Sequence, residues 1–208
     1  VKRDYIKAKE FFEYSATVND PESCYYLGNI HYFGLGIEKN YTIARQYYEI
    51  AAQYDNSDAL VQLGKMFLYG HGVPKNYTQA KELFEKSASY KNHEAFNCLG
   101  NLYLDGKGVE KNYQNAFFWY ELSARQNNSS ALFNLANIYR YGYGVKKDYQ
   151  KMMHYYELSA KYNNSDALFI LGNIYMCGYH IKRDYLKAKQ YFEKAAQLGN
   201  HQAINNLG

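Results

Sequence analysis

Residues 95–116 read AFNCLGNLYLDGKGVEKNYQNA, and this stretch decides the fold. Its first half places Ala95, Leu99 and Tyr103 four residues apart, the spacing of one helical face. Two glycines, Gly106 and Gly108, then interrupt the pattern. Asn112 and Tyr113 open a second helical run through Ala116. Asn is a preferred N-cap, because its side-chain oxygen accepts a bond from an orphan backbone N–H. The stretch therefore reads as helix, glycine turn, capped helix.

The same grammar recurs along the chain. Tyr5, Tyr41, Tyr77, Tyr113, Tyr149 and Tyr185 are each 36 residues apart, with no insertion. Ala16, Ala52, Ala88, Ala124, Ala160 and Ala196 keep the same period, as do Glu13, Glu49, Glu85, Glu121, Glu157 and Glu193. A fixed period in this range is the signature of a repeat array. The spacing predicts a helix A such as 58–70 and a helix B such as 77–90 in each period, with no sheet. Asp4, Asn40, Asn76, Asn112, Asp148 and Asp184 are the expected caps of helix B. Asp20, Asn56, Asn92, Asn128, Asn164 and Asn200 are those of helix A. Gly28, Gly64, Gly100 and Gly172 fall inside helix A, where glycine costs about 1 kcal/mol against alanine. Close helix–helix packing is the expected compensation, and the remaining copy, Ala136, stays small. No single helix pair covers its own apolar arcs. Stacking does, which predicts an all-α, right-handed α-α superhelix (α-solenoid) with one concave surface. The predicted organisation is a single array over 1–208: a half repeat 1–19, repeats 20–55, 56–91, 92–127, 128–163 and 164–199, and a partial repeat 200–208. The opening Val and the missing polar end caps read as a piece of a longer product.

These residues resemble the Sel-one-like repeat (SLR) family, a relative of tetratricopeptide repeats. The family pattern, roughly A-x3-L-G-x2-Y-x2-G-x-G-V-x2-D-x3-A, is matched over essentially the whole chain. Local departures are His31 for the helix A aromatic, Ala136 for glycine, Met152 for alanine and His180 for the second loop glycine. The last puts a side chain where the turn favours positive φ. The resemblance implies a protein-binding scaffold, with ligands on the helix A face as in tetratricopeptide relatives.

Composition narrows the classes. No run approaches 18 apolar residues, so no membrane span is expected. A net charge of +4 over 208 residues is short of a nucleic-acid footprint. Cys24, Cys98 and Cys177 share no spacing, and read as free thiols. His31, His71, His93, His154, His180 and His201 are scattered and read as surface or loop residues. Hence no catalytic residue, metal site or cofactor is expected. The N-x-S/T sequons at Asn40, Asn76, Asn127, Asn128 and Asn163 coincide largely with capping. Compartment stays open, with unpaired cysteines favouring the cell interior and sequons favouring the secretory route; the oligomeric state is unassigned.

The informative stripe lies one residue after the packing glycine: Asn29, Lys65, Asn101, Asn137 and Asn173. Beside it at helical spacing come Tyr25, Phe133 and Phe169, then Tyr32 and Arg140, with Tyr69 and Tyr141 closing the patch; Val61, Asn97, Leu68, Leu104, Met176, Phe33 and Asp105 fill the other copies. An amide donates and accepts, so an asparagine ladder suits the backbone of an extended protein or peptide partner. Two other readings remain. A basic row (Arg3, Lys39, Lys75, Lys111, Lys147, Arg183) would suit an anionic partner. An enzyme is the different-class reading, a hydrolase of the kind that the β-lactam-binding remark about some bacterial SLR proteins implies. It would need a nucleophile with a partnered base, which the sequence does not offer.

Overall fold

The computed structural model describes residues 4–207; Arg3 of the basic row and Gly208 of the partial repeat lie outside the described residues. Among them stand twelve helices and no strand. They are α1 (Tyr5–Ala16), α2 (Pro21–Phe33), α3 (Tyr41–Gln53), α4 (Ser57–Tyr69), α5 (Tyr77–Ser89), α6 (His93–Asp105), α7 (Tyr113–Ala124), α8 (Ser129–Tyr141), α9 (Tyr149–Lys161), α10 (Ser165–Cys177), α11 (Tyr185–Gln197) and α12 (His201–Leu207). Even-numbered helices are the A helices and odd-numbered ones the B helices.

Every expected cap is in place. Asp4, Asp20, Asn40, Asn56, Asn76, Asn92, Asn112, Asn128, Asp148, Asn164, Asp184 and Asn200 each accept a backbone N–H from the first turn of their helix. Each such cap is worth about 1 kcal/mol. Several A-helix caps also reach the preceding repeat. The Asn92 amide donates to Ser57 Oγ at 3.1 Å and to Asp58 Oδ1 at 2.7 Å. The Asn200 amide donates to Asp166 Oδ1 at 2.9 Å. One residue type thus starts a helix and sets the stacking register.

The chain divides into two compact units, Val1–Glu110 and Lys111–Gly208. In the first, α1 to α6 pack each on its neighbour in sequence; in the second, α7 to α12 do the same. This nearest-neighbour economy is that of a repeat array. The first unit's core joins Cys24, Tyr48, Ala51, Ala59, Leu60, Leu63 and Met66. A core cluster of the second unit joins Ala136, Met152, Tyr156, Leu171 and Ile174.

The mid-helix glycines are explained by rings. A Cβ on Gly64 would stand 2.4 Å from the fully buried Phe84, and one on Gly28 2.4 Å from Tyr48. The A–B turn is built on left-handed residues. Gly70 (φ +78°) ends α4, and a Cβ on Gly72 (φ +70°) would meet the Cβ of Tyr41 at 2.7 Å. The period-marking tyrosine is therefore the seat on which the next repeat's turn closes. At the last turn His180 keeps the geometry at φ +59°, with its ring 4.6 Å from Tyr149. The departure from glycine leaves the turn intact and moves its strain onto His180.

Candidate functional site

The helix A stripe is neither core nor fully exposed: Asn29, Lys65, Asn101, Asn137 and Asn173 are all half-buried. In the first unit, the Tyr48 hydroxyl donates to Asn29 Oδ1 at 2.8 Å. Lys65 reaches Glu94 at 3.0 Å instead of facing a partner-free surface. Burial works against the Lys65 charge; Glu94 more than offsets it and holds the ammonium's pKa above its usual value. Tyr25 leans on the Tyr48 ring at 6.2 Å. Tyr32 Oη shares a hydrogen bond with His71 Nδ1 at 2.7 Å, and His71 stacks on Tyr41 at 4.9 Å. Tyr69, beside His71, is exposed.

In the second unit the Tyr156 hydroxyl donates to Asn137 Oδ1 at 2.6 Å. Arg140, one helical turn on, lies beside the same hydroxyl and 5.3 Å from the Tyr141 ring. Burial opposes its charge; Tyr156, Tyr141 and Tyr179 outweigh that and hold its pKa above the ordinary value. No carboxylate pairs with Arg140 among the described residues. Phe133 packs 5.7 Å from Tyr156, and Phe169 5.8 Å from Phe192. Asn173 falls opposite Phe192, which carries no hydroxyl to donate. A cavity of about 320 Å³ opens here, lined by Arg140, Met152, Ile170, Asn173, Ile174, Cys177 and Tyr179.

The flanking positions divide. Val61, Leu68 and Asn97 are buried, whereas Met176, Phe33, Tyr69 and Tyr141 are exposed. Sequence spacing alone treated these as one patch; packing against neighbouring helices removes three of them. The Asn–Tyr bonds were also missed. Their signal is in the sequence: Asn29 and Asn137 each precede, by 19 residues, a tyrosine of the following B helix.

Other candidates resolve into structure. His31 corrects the surface-or-loop reading: it lies in α2 at 8% exposure, stacked on Tyr47 at 5.8 Å. It occupies the layer where the other repeats place Phe67, Tyr103, Tyr139 and Tyr175. Burial, then the Lys9 charge, lowers its pKa against the opposing pull of Glu13. Cys24 and Cys98 are buried and Cys177 is exposed, all three free; burial pushes the Cys98 thiol up to about 12, away from thiolate chemistry. Among the described residues no group of three His, Cys, Asp or Glu could hold a metal ion, and no helix is long and apolar enough to cross a membrane. In the basic row, a Cβ on Gly70 would stand 2.9 Å from Lys75 Cγ, Lys111 lies 5.1 Å from the Tyr113 ring, and Arg183 donates to the Cys177 carbonyl at 3.2 Å. These cations serve the ends of A helices, where they meet the negative pole of the macrodipole. The glutamate row forms i,i+4 pairs with Lys9, Arg45, Lys81 and Lys189.

Comparison with known proteins gives a consistent answer. The Sel1 repeat family model matches residues 1–20, 21–53, 57–89, 99–128, 129–163 and 165–200. A Sel1 repeat protein of Oxalobacter formigenes is 33% identical, with a TM-score of 0.82 over 91% of this chain and 78% of its own. A protective antigen of uropathogenic Escherichia coli with an SLR fold is 30% identical, with a TM-score of 0.72. That alignment covers 98% of this chain and 44% of the antigen. An immunity protein of Pseudomonas aeruginosa, 20% identical, shares the fold with a TM-score of 0.68 over 93% of this chain and 74% of its own. Among curated proteins none matches.

Proposed function

This chain belongs to the Sel1 repeat family, whose members are typically non-enzymatic, protein-binding solenoids, and on that premise we propose that it is an interaction scaffold that holds a protein segment on its helix A face. One observation carries the reading. The stripe residues stay half-buried beside the exposed side chains of Phe33, Tyr69, Tyr141 and Met176 on the A helices. Asn29 and Asn137 spend their oxygen on a buried phenol, so their amide N–H groups are the side left to a partner. The phenol fixes the rotamer of each, which lowers the ordering cost of binding. Aromatic neighbours at Tyr25, Phe133 and Phe169 add apolar contact at small entropy cost.

The basic loop edge supports an anionic partner less well, because its side chains pack on the turns and on tyrosine rings. A hydrolase reading lacks a nucleophile with a partnered base: the Tyr32–His71 pair is enclosed by Tyr41 and Tyr69.

The test is photo-crosslinking. A photoreactive residue placed at Met176, an exposed neighbour of the stripe, captures a discrete partner from extracts of the source cells. The same residue at Gln190, on the exposed side of α11, does not. Replacing Asn101, Asn137 and Asn173 together by Ala, in a chain that keeps its helical circular dichroism, abolishes that capture. Equal capture at both positions, or capture indifferent to the triple substitution, overturns the assignment.

A further inference from the structure

Arg140 is the one stripe cation left without a carboxylate. Lys65, the other cation of the stripe, is paired with Glu94. The helices that frame Arg140 are poor in acid. α8 (SSALFNLANIYRY) has none, and the single one in α10, Asp166, lies in its first turn and is held by Asn200 at 2.9 Å. The only acid of α9, Glu157, lines a different cavity together with Lys161 and Lys194. The polar group beside Arg140 is a neutral one, the Tyr156 hydroxyl, whose own proton goes to Asn137. A guanidinium with a phenol and no carboxylate beside it keeps its full charge and its donor fork for something else.

What surrounds the fork is specific. The cavity that Arg140 shares with Asn173 has an apolar floor of Met152, Ile170 and Ile174, and its volume, about 320 Å³, is at the small end of ligand sites. It can take one side chain, not a folded element. We propose that this cavity captures the C-terminal residue of a partner chain, with the α-carboxylate on Arg140 and the Asn173 amide and an apolar side chain on the floor. A terminal residue brings both chemistries from a single position. An acidic side chain of an internal segment would satisfy Arg140 and leave the floor empty. Capture of a chain terminus by convergent donors is an established mode of peptide recognition. The proposal rests on the helix A face being the binding face and adds which end of the partner it takes.

The experiment uses small probes, so it does not depend on knowing the partner. The ¹⁵N-labelled chain is titrated with N-acetyl-leucine, N-acetyl-leucinamide and N-acetyl-glutamic acid α-amide, following the Arg140 Nε–H and Asn173 side-chain amide signals. N-acetyl-leucine is expected to shift both signals saturably. The other two probes, one without a carboxylate and one with only a side-chain carboxylate, bind about tenfold or more weakly, the scale of a charge-assisted bond. Arg140→Gln removes the response to N-acetyl-leucine, and Arg140→Lys, a point charge without the fork, restores it in part. Equal binding of acid and amide refutes the proposal, as does stronger binding of the glutamate probe or an absence of saturable shifts in the unaltered chain. That comparison needs no variant. Should the probes fail while the triple asparagine substitution still abolishes partner capture, the terminal-residue site falls and the helix A face stands.

Discussion

Asn137 and Asn173 occupy the same repeat position and look interchangeable in sequence, yet they should respond oppositely to alanine. Asn137 Oδ1 is the acceptor for the hydroxyl of Tyr156, a residue with 0% exposure, at 2.6 Å. Arg140 lies beside that hydroxyl, but as a donor it cannot take the phenol's proton. In Asn137→Ala the proton has no acceptor in place, at a cost of about 1–3 kcal/mol. The helix gains roughly 0.6 kcal/mol from Ala over Asn, so the net loss is about 0.5–2.5 kcal/mol. Asn173 has Phe192 in the equivalent place, and Asn173→Ala keeps only the propensity gain, about 0.6 kcal/mol stabilising. Adding Tyr156→Phe closes a double-mutant cycle in which Asn137→Ala becomes harmless, a coupling of about 1–3 kcal/mol. Urea unfolding followed by circular dichroism reads all five proteins. A coupling below about 0.5 kcal/mol, or an Asn173→Ala loss as large as that of Asn137→Ala, would show that the phenol bond does not organise the stripe.

Three further outcomes follow from the packing. Burial, then Lys9, lowers the His31 pKa, so the stabilisation this gives is complete above the unfolded value of about 6.5 and is lost as pH falls below it. His31→Phe, the aromatic that repeat two already uses at Phe67, should raise the melting temperature at pH 5 more than at pH 7, and an unchanged difference would refute this. Gly72→Ala forces a Cβ to within 2.7 Å of Tyr41 Cβ at φ +70°, and should cost about 2 kcal/mol or more in urea unfolding, from left-handed strain plus overpacking. Lys65→Asn installs the ladder's commonest residue yet removes the ammonium paired with half-buried Glu94; it should lower stability by about 1–2 kcal/mol, and adding Glu94→Gln should recover most of it.

The fold was legible because each of its devices is local. A cap needs only Asn or Asp before a helix, and all twelve such positions cap as read. A left-handed turn needs glycine at a fixed offset, and even His180 conforms. The mid-helix glycines announced a close approach, which the rings of Tyr48, Phe84 and Phe192 supply. The site was less legible because its state depends on residues of a neighbouring helix. A helical wheel places Val61 and Asn97 with Phe133, but only the stack decides which of them a following helix covers. The same limit hid His31, whose burial comes from the Tyr47 ring and not from its own segment.

That dependence also says where specificity can arise in such an array. Caps, glycines and anchor tyrosines are committed to stacking in every repeat, so they can differ little without loss of the fold. The stripe, and whether its buried ring partners carry a hydroxyl, are under less obligation. Exchanging Tyr for Phe nineteen residues downstream switches an asparagine from a fixed, half-satisfied donor to a free amide, as Asn137 beside Tyr156 and Asn173 opposite Phe192 illustrate. Exchanging Asn for Lys, or Leu104 for Arg140 one turn on, changes charge without touching the core. A repeat scaffold can therefore alter what it binds one period at a time, through pairs of positions that the stacking leaves free. The pairing of Arg140 with Tyr156 is the place in this chain where that freedom has been used to hold an uncompensated charge open.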